Sequence, residues 1–572
     1  MEAGFAGMNC LTVIQASQGL AEYILATVPN AKERGFVVGH DHRHNSETFA
    51  KLTAAVFLEY GFKVYYYTTL VHTPMVPFAI KHLRLSGGVM VTASHNPKQD
   101  NGYKVYWENS AQIIPPHDAG IAAQIKLLNN TAKTWDTNLI NTHPNCIKDQ
   151  TEALKDAYFA TVAADLIATP REKLGATTLR YVYTPMHGVG HPFAERVVRV
   201  FGMPELVVVP EQVHPDPDFS TVAFPNPEEK GALDLAIRLA DSKGVGLVLA
   251  NDPDADRFAV AEKKRDGSGW HVFTGDQIGS LLGYALVLKV KGGSVENKRK
   301  VAMVNSAVSS KMLRSICLKE GHHYAETLTG FKWMSNHVVD LMKLGYDTFF
   351  AYEEAIGFMT HPCVLDKDGV TALASFVELA VLQQEKGSNM VELLEELYVR
   401  YGFHASDNYY FICHDPKVIA KIFHKIRFGG GDDSSSGIRR TNFKRLSDGA
   451  VLRYPLTVAG FPVVYIRDLT YGFEMSNIQE FVAKNGDGLV EIKEGENIPT
   501  LPVSSSSEMI TFELANECVF TLRTSGTEPK IKYYIEKKGT DRDAVREDLK
   551  AVVRAVGAEL FEATANGLNN KF

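Results

Sequence analysis

Residues 35–67, GFVVGHDHRHNSETFAKLTAAVFLEYGFKVYYY, decide the fold class. Gly35–Gly39 predict a buried strand, Ser46 is suited to cap the helix that follows, and Val64–Tyr67 predict a second strand. The helix has one apolar face, formed by Phe49, Leu52, Val56 and Phe57. Two strands joined by a helical connection pair in parallel, so this stretch predicts an α/β layer.

The same order of strand, helix and strand occurs in two more places. The second copy has strands at Arg180–Tyr183 and Leu206–Val209, and Pro192 is suited to the first turn of its helix. The third copy begins with a strand at Lys300–Val304. Three such units predict a repeated α/β architecture rather than one large sheet.

The last part of the chain has a different pattern. A chain of 572 residues is long enough for about four domains. After about Tyr401, short alternating stretches such as Val463–Ile466 are followed by a closing helix, predicted over 541–564. This pattern indicates an α+β domain.

Composition limits the classes of partner. Sixty basic and 67 acidic residues give a formal charge of −7, which offers no electrostatic reason to expect nucleic acid or membrane as a partner. The six cysteines are far apart and form no C-x-x-C pair, which argues against a zinc site or a disulfide framework. No apolar stretch reaches about 18 residues. We therefore expect a soluble, unexported cytoplasmic protein with reduced thiols.

Residues 91–104, VTASHNPKQDNGYK, place a serine just after a predicted strand. Pro97 prevents a regular continuation, so the hydroxyl of Ser94 is expected on an exposed loop. A phosphorylated serine is a phosphoryl donor, and His95 and Lys104 are near enough in sequence to transfer protons and balance charge. An Asn-Pro turn that happens to contain serine and histidine is the alternative.

Residues 249–258, LANDPDADRF, contain three carboxylates at alternate positions, Asp252, Asp254 and Asp256. They follow the predicted strand Val245–Leu249, where they would repel one another unless a hard cation bound them. Mg²⁺ takes carboxylate and phosphate oxygens together, which suits phosphoryl chemistry. An acidic loop without a metal is the alternative.

Residues 522–532, LRTSGTEPKIK, predict a phosphate-binding turn. Arg523, the hydroxyls of Ser525 and Thr527, and the backbone amides around Gly526 would form a donor-rich cradle for a phosphate monoester. An ordinary serine and threonine turn is the alternative.

Two further segments, 327–332 (TLTGFK) and 352–358 (YEEAIGF), follow predicted strands of the third unit. Ligands gather at such strand ends in α/β sheets. Glu353 and Glu354 could accept hydrogen bonds from sugar hydroxyls, and the alternative is an acidic pair at the start of a helix.

These motifs together resemble the α-D-phosphohexomutase superfamily. TASHNP at 92–97, DPDADR at 252–257 and RTSGTEP at 523–529 occur in the order of that family, and the resemblance extends over essentially the whole chain. The longer signatures SHNPKQDNGYKVY at 94–106 and ETLTGFKW at 326–333 are most similar to the phosphoglucomutase-2 and phosphopentomutase (phosphoribomutase) branch.

The resemblance implies four domains around a central cleft, three similar α/β domains and a C-terminal α+β domain like the TATA-binding protein. The expected domains are I, residues 1–145, with the phosphoserine loop; II, 146–295, with the metal loop; III, 296–405, with the sugar loop; and IV, 406–572, with the phosphate loop. Relatives have an additional loop of the Phe-Gly-Thr-Ala-Gly type near the active site, and this sequence begins just after it, so domain I is expected to be shortened.

The resemblance also implies roles for individual residues. Ser94 would be phosphorylated and would hold Mg²⁺ with Asp252, Asp254 and Asp256, while His95, Lys104 and Arg257 would assist catalysis. The residues expected to bind the sugar and its second phosphate are Thr329, Gly330, Lys332, Glu353, Glu354, Arg523, Ser525, Gly526 and Thr527.

The implied activity is a phosphosugar mutase that works through a phosphoserine and a sugar-bisphosphate intermediate. Glucose 1,6-bisphosphate or ribose 1,5-bisphosphate would prime it, and a monomer is expected. Tyr352 and Ala355 replace the glycine and serine of the G-E-E-S motif in hexose-selective members, which favours pentose phosphates with glucose phosphate as a side substrate. The alternatives are a glucose-1,6-bisphosphate synthase and a non-catalytic sugar-phosphate-binding protein.

Overall fold

A computed structural model describes residues 2–5, 7–128, 132–293, 300–429, 439–446, 448–485, 496–525 and 529–568. The chain forms two compact units. The larger contains residues 1–309 and 316–395, and the smaller contains residues 310–315 and 396–572. Within the described ranges, no helix combines the length and the apolar character needed to cross a lipid bilayer.

The first sheet of the larger unit has the order β4-β3-β1-β2-β5. Its strands are β1 Phe36–His40, β2 Val64–Tyr66, β3 Gly87–Val91, β4 Tyr103–Trp107 and β5 Cys146–Ile147. β1 pairs in parallel with β2 and β3, whereas β4 is antiparallel to β3. The helices of this region are α1 Cys10–Thr27, α2 Ala31–Arg34, α3 Ser46–Glu59, α4 Met75–Leu83, α5 His117–Leu127 and α6 Leu139–Thr142.

Helix α3 shows why this segment folds as the sequence predicts. The predicted apolar face is buried, and the rings of Phe57 on α3 and Phe36 on β1 stack with centroids 3.7 Å apart. The expected cap is displaced by one position, because Asn45 adopts a left-handed φ of 67° before the helix and Ser46 is the first helical residue. Asparagine tolerates that conformation better than most residues.

The second sheet has the order β10-β9-β8-β6-β7. Its strands are β6 Val182–Thr184, β7 Val207–Val208, β8 Leu247–Asn251, β9 Phe258–Lys263 and β10 Trp270–Val272. The helices of this region are α7 Thr151–Asp165, α8 Arg171–Gly175, α9 His191–Phe201, α10 Asp234–Lys243 and α11 Gly275–Lys291. β6 is parallel to β7 and β8, and Pro192 lies in the first turn of α9, so both predictions are confirmed.

The third sheet has the order β12-β11-β13-β14. Its strands are β11 Lys300–Ser306, β12 His323–Thr327, β13 Tyr346–Glu353 and β14 Gly357–Met359. Helices α12 Met312–Glu320, α13 Phe331–Lys343, α14 Gly369–Glu385 and α15 Met390–Tyr401 complete this part of the chain. β11 is parallel to β12 and β13, so the third predicted α/β unit is also confirmed.

The smaller unit contains an antiparallel sheet with the order β15-β23-β22-β21-β19-β18, and β20 pairs with β19. Its strands are β15 Phe403–Ile412, β18 Thr457–Val458, β19 Phe461–Asp468, β20 Phe473–Ser476, β21 Met509–Leu514, β22 Cys518–Thr524 and β23 Lys530–Gly539. Two further strands, β16 Lys444–Arg445 and β17 Val451–Leu452, form a separate antiparallel pair. The helices of this unit are α16 Pro416–Phe428, α17 Ile478–Asn485 and α18 Arg542–Ala555, followed by a π-helical turn, Val556–Leu560. An α+β domain is thus confirmed, and its likeness to the TATA-binding protein stays a prediction.

Candidate active site

The loops after β3 and β8 bring the predicted nucleophile to the predicted metal ligands. The hydroxyl of Ser94 donates a hydrogen bond to Oδ2 of Asp252 at 2.8 Å. Both loops turn through a left-handed residue, Ser94 at φ 52° and Ala255 at φ 52°. Such conformations cost free energy in residues other than glycine and persist where surrounding contacts impose them.

Arg43 imposes the conformation of the serine loop. Its guanidinium donates to the main-chain oxygens of Ser94 and Asn96, each at 2.6 Å, and of Pro97 at 2.8 Å. The carboxylate of Asp41 lies 3.3 Å from Nε of Arg43, and both side chains are buried. A single planar cation therefore holds three backbone carbonyls of the serine loop.

The three aspartates form a buried, cation-sized group. One oxygen from each of Asp252, Asp254 and Asp256 lies within 4.8 Å of the others, and none of the three residues is exposed. Oδ1 of Asp254 and Oδ1 of Asp256 are buried without a hydrogen-bond partner, which is costly for charged oxygens. Unpaired carboxylate oxygens are the ligands that Mg²⁺ requires, so the residues fit that ion.

Lys104 on β4 balances part of this negative charge. Its Nζ lies 2.7 Å from Oδ2 of Asp254 and 2.7 Å from Oδ2 of Asp256. Although burial disfavours a charged amine, the two carboxylates raise the pKa of Lys104 above its ordinary value. Lys104 therefore stays protonated, and the geometry suits a charge-balancing role better than acceptance of a proton.

Repulsion within the aspartate group affects the pKa of Asp252. Burial and the neighbouring carboxylates of Asp254 and Asp256 raise the pKa of Asp252 well above its usual range. Arg257 opposes this effect, with Nε 3.9 Å from Oδ2 of Asp252 and its backbone N–H donating to Oδ1 at 3.0 Å.

Arg257 also connects the loop after β8 with the turn between β13 and β14. Its Nη1 donates to the main-chain oxygen of Ala355 at 3.1 Å, and a β-bridge joins Arg257 to Gly357. The pKa of His95 is lowered to about 2. Burial is the larger cause, and the positive charge of Arg257 adds to it. The imidazole is therefore neutral, and its lowered pKa makes it a weak base in this arrangement.

The structure separates the two predicted glutamates. Glu353 ends β13 and is buried, with Oε1 3.7 Å from Nζ of Lys367. Glu354 turns the other way, where the hydroxyls of Ser306 and Ser309 lie 2.9 Å and 3.3 Å from its Oε2. Glu353 thus joins the charged site, and the contacts of Glu354 suit the anchoring of the loop backbone.

Lys367 connects several of these groups. Its Nζ lies 3.5 Å from Oδ2 of Asp256 and 5.4 Å from the centroid of the Phe331 ring. Phe331 begins α13 directly after the turn that contains Thr329 and Gly330, and Gly330 has a left-handed φ of 97°. Lys332 follows in the first turn of that helix.

The predicted phosphate-binding turn lies in the smaller unit. Arg523 is on β22, and the backbone N–H of Ser525 donates to the carbonyl of Lys530 at 2.9 Å, which closes the β22–β23 hairpin. Gly526 and Thr527 lie outside the described residues.

Sequence reasoning missed Arg43, Thr73 and Lys367. Thr73 donates its hydroxyl to Oδ2 of Asp254 at 2.6 Å. The stretches around all three residues have no distinctive motif, except that Asp366 and Asp368 stand at alternate positions, as the aspartates of 252–256 do. That charge pattern after β14 was the one available signal.

Comparison with known proteins identifies the family. Models of the three alpha/beta/alpha domains of phosphoglucomutase/phosphomannomutase match residues 1–131 (domain I), 156–267 (domain II) and 274–401 (domain III). The chain belongs to this family. The superfamily predicted from the three motifs, and the prediction of a mutase enzyme, are thereby confirmed.

Individual relatives extend the comparison over the chain. A Schizosaccharomyces pombe protein named "Probable phosphoribomutase" is 44% identical over 570 residues, covering 99% of this chain and 90% of the relative. A human glucose 1,6-bisphosphate synthase is 40% identical over 582 residues, covering 99% and 87%. The structure of a phosphoglucomutase/phosphomannomutase family protein of Burkholderia thailandensis matches with a TM-score of 0.62 at 16% identity, over 96% of this chain and 94% of that one, which shows the shared fold.

Proposed function

We propose that the protein is a phosphopentomutase that interconverts ribose or deoxyribose 1-phosphate and 5-phosphate, with a slower glucose phosphate activity. The observation that supports it most is the Ser94 hydroxyl, 2.8 Å from Asp252 in a buried group of three carboxylates. The name of the S. pombe relative points to the same pentose phosphates.

The proposed reaction has two phosphoryl transfers. Phosphoserine 94 gives its phosphoryl group to the free hydroxyl of a sugar monophosphate. The resulting bisphosphate then reorients so that its other phosphate can be transferred back to Ser94. The attacking sugar hydroxyl loses a proton as the new P–O bond forms. We assign His95, the residue next to Ser94, to accept that proton. Burial lowers its pKa, and the negative charge of a bound phosphate would raise the pKa again towards the basicity that this role requires.

Asp252, Asp254 and Asp256 would hold Mg²⁺ together with the phosphate on Ser94. The ion would offset charge on the phosphoryl oxygens when bound. Lys104 and Lys367 also offset the charge of the carboxylates, with Nζ atoms 2.7 Å and 3.5 Å from Oδ2 of Asp256.

The residues of the segment 352–358 favour a pentose substrate. Tyr352 is fully buried, and its hydroxyl donates to Oδ1 of Asp276 at 3.1 Å, so it does not replace a sugar-binding hydroxyl. Ala355 has only a methyl side chain where hexose-selective sequences have serine. Glu353 remains as an acceptor for sugar hydroxyls, and we assign additional sugar contacts to Thr329, Gly330 and Lys332.

The phosphate that is not being transferred would bind in the smaller unit. Arg523, Ser525, Gly526 and Thr527 supply the guanidinium, hydroxyl and backbone N–H donors that a phosphate monoester accepts. This site must take either end of the sugar, because the two phosphates exchange places during the reaction.

A panel of sugar phosphates tests the substrate. With a bisphosphate primer and Mg²⁺, kcat/KM for ribose 1-phosphate should exceed that for glucose 1-phosphate by at least about tenfold, since a missing hydrogen bond to a sugar hydroxyl is worth about 1.4 kcal/mol or more. Fast turnover of glucose 1-phosphate with no turnover of ribose 1-phosphate would reverse the assignment.

A glucose-1,6-bisphosphate synthase is the second candidate, and the 40% identity to the human synthase favours it. A synthase takes its phosphate from an acyl phosphate and releases the bisphosphate. Release of glucose 1,6-bisphosphate in proportion to added 1,3-bisphosphoglycerate would support it, whereas a mutase needs only catalytic amounts of primer.

A non-catalytic sugar-phosphate-binding protein is the third candidate. It would be supported by sugar-phosphate binding that is unchanged by Ser94→Ala, without phosphoryl exchange.

The proposed setting is the cytoplasm. All six cysteines are free thiols, which suits a reducing compartment. We assign small phosphosugars as the partners and a monomer as the assembly state, which sedimentation can check.

A further inference from the structure

Thr73 contacts the metal loop through both its side chain and its backbone. It lies just before α4, on the domain that contains Ser94, and it is fully buried. Its hydroxyl donates to Oδ2 of Asp254 at 2.6 Å, and its backbone N–H donates to the main-chain oxygen of Asp254 at 3.0 Å. Two hydrogen bonds from one residue therefore fix both the backbone and the carboxylate of Asp254.

The two oxygens of Asp254 have different surroundings. Oδ2 accepts the Thr73 hydroxyl and the Lys104 ammonium, the latter at 2.7 Å. Oδ1 is buried and has no hydrogen-bond partner. The carboxylate is thus held by one oxygen so that the other is left for a cation.

Lys104 alone cannot define this orientation. Its Nζ is shared at equal distances of 2.7 Å between Asp254 and Asp256, so it attracts both carboxylates without selecting a rotamer of either. The hydroxyl of Thr73 is neutral and directional. It orients the carboxylate without removing the negative charge that a metal ion requires.

Thr73 is itself held rigidly. Pro74 follows it, and a residue before proline is restricted to extended conformations. The preceding residue, His72, is fully buried, with its ring centroid 4.0 Å from that of Phe193 and 5.3 Å from that of Tyr158. The hydroxyl is therefore presented to Asp254 by a segment with little freedom to move.

We propose that Thr73 is a positioning residue of the cation site, which sets the orientation of Asp254 and thereby the affinity for Mg²⁺. The proposal rests on the metal site of the proposed function. Hydrogen-bond donors behind metal ligands commonly change metal affinity by about 10–100-fold when removed.

The test is a direct measurement of Mg²⁺ or Mn²⁺ binding to the unphosphorylated protein by calorimetry. Thr73→Val keeps the shape and removes the donor, so its Kd for the metal should rise by roughly 10–100-fold. Thr73→Ser keeps the hydroxyl and should stay within about threefold of the wild type, about 0.7 kcal/mol. Wild-type affinity in Thr73→Val would overturn the proposal.

The matched control is Thr53→Val. Thr53 is also a buried threonine of the first domain, but its hydroxyl donates to the carbonyl of Phe49 on α3. Removal of the Thr53 hydroxyl in Thr53→Val should leave the Kd for the metal ion unchanged. If Thr73→Val does not fold, Thr73→Cys retains the size with a weaker donor, and equal affinities of the Cys and Ser variants would then overturn the proposal.

The outcome is separable from that of the proposed function. Metal binding is measured without a sugar substrate, so weaker Mg²⁺ binding in Thr73→Val supports the role of Thr73 whichever sugar phosphate the enzyme prefers. Conversely, a pentomutase whose Mg²⁺ affinity is insensitive to Thr73→Val keeps its function and loses this positioning residue.

Discussion

The hydroxyl of Ser94 and the carboxylate of Asp252 share a 2.8 Å hydrogen bond, although 158 residues separate them in the chain. The loops after β3 and β8, which belong to different sheets, therefore meet at one point. A phosphate on Ser94 would lie beside three buried acids, an arrangement that is stable only with compensating cations. Lys104 and Arg257 supply two of them, and the unpaired oxygens of the acids provide for a metal ion.

Ser94→Ala should abolish turnover while the protein remains folded. Loss of the hydroxyl that we assign as the phosphoryl carrier should reduce kcat by about 10³-fold or more. Intact mass after incubation with a sugar bisphosphate should show one added phosphoryl group in the wild type and none in the variant. Ser220→Ala, at an exposed serine of the second domain, should behave as wild type. Phosphorylation of the Ser94→Ala variant would refute the assignment.

Asp254→Asn should weaken metal binding and activity together. Asparagine removes a charge from the ligand group and from the ion pair with Lys104, and we expect at least a tenfold increase in the Mg²⁺ concentration needed for half-maximal activity. Chelation of the metal should inactivate the wild type reversibly. Asp241→Asn, which loses only an exposed pair with Lys263, is the control. Unchanged Mg²⁺ dependence in Asp254→Asn would contradict the assigned ligand role.

Local sequence was sufficient to predict the parts of the site that follow single strands. Ser94 and the three aspartates come directly after β3 and β8, and the carboxyl ends of parallel strands gather ligand groups. Spacing within one short loop was enough to predict that Asp252, Asp254 and Asp256 lie close together, and the structure places one oxygen of each within 4.8 Å of the others.

Glu353 and Glu354 differ because the strand ends between them. Glu353 is the last residue of β13, and Glu354 begins the turn that leads to β14. The expected pair divides into a residue of the charged group, Glu353, and a residue bound by Ser306 and Ser309, Glu354. The sequence pattern placed both residues at a strand exit, but it could not identify the last residue of the strand.

Arg43 could not be predicted in the same way. Its partners are backbone carbonyls more than 50 residues away, and a carbonyl has no side-chain identity that a sequence pattern could reveal. Lys367 likewise acts through groups on other loops, including Asp256 and Glu353. Contacts of this kind depend on which strands are neighbours in a sheet, as for the loops after β1 and β3, and on where loops of different sheets meet. The local pattern specifies neither.

Arg43→Lys should disturb the serine loop more than a conservative change would suggest. Lysine cannot span the carbonyls of Ser94, Asn96 and Pro97, so at least two half-buried acceptors lose a charged donor. At about 1–1.5 kcal/mol each, this should lower the free energy of unfolding by about 2–3 kcal/mol. The rate at which Ser94 is phosphorylated should also fall, because the loop that presents its hydroxyl is less firmly held. Arg84→Lys, at an exposed arginine of the same domain, should change neither, and wild-type stability and phosphorylation in Arg43→Lys would contradict the role.

Asp368 should give the enzyme a component of stability that is lost as the pH rises. It is buried at the start of α14, where Oδ1 accepts the backbone N–H groups of Val370 and Thr371 and Oδ2 accepts the hydroxyl of Tyr158 at 2.7 Å. Burial nevertheless raises the pKa of Asp368 from 3.8 to about 6. The folded state therefore binds this proton more tightly than the unfolded state does.

The sign of the effect follows from that difference. The contribution of Asp368 is fully present below pH 3.8 and disappears as the pH rises through 6, so between pH 5 and pH 8 it should remove roughly 1–2 kcal/mol from the free energy of unfolding. Asp368→Asn keeps the capping oxygen but cannot titrate, so denaturant unfolding should show a pH dependence smaller by that amount. Asp541→Asn, at the exposed cap of α18, should retain the wild-type slope. An unchanged slope in Asp368→Asn would mean that this carboxyl is already ionised in the folded enzyme at pH 5.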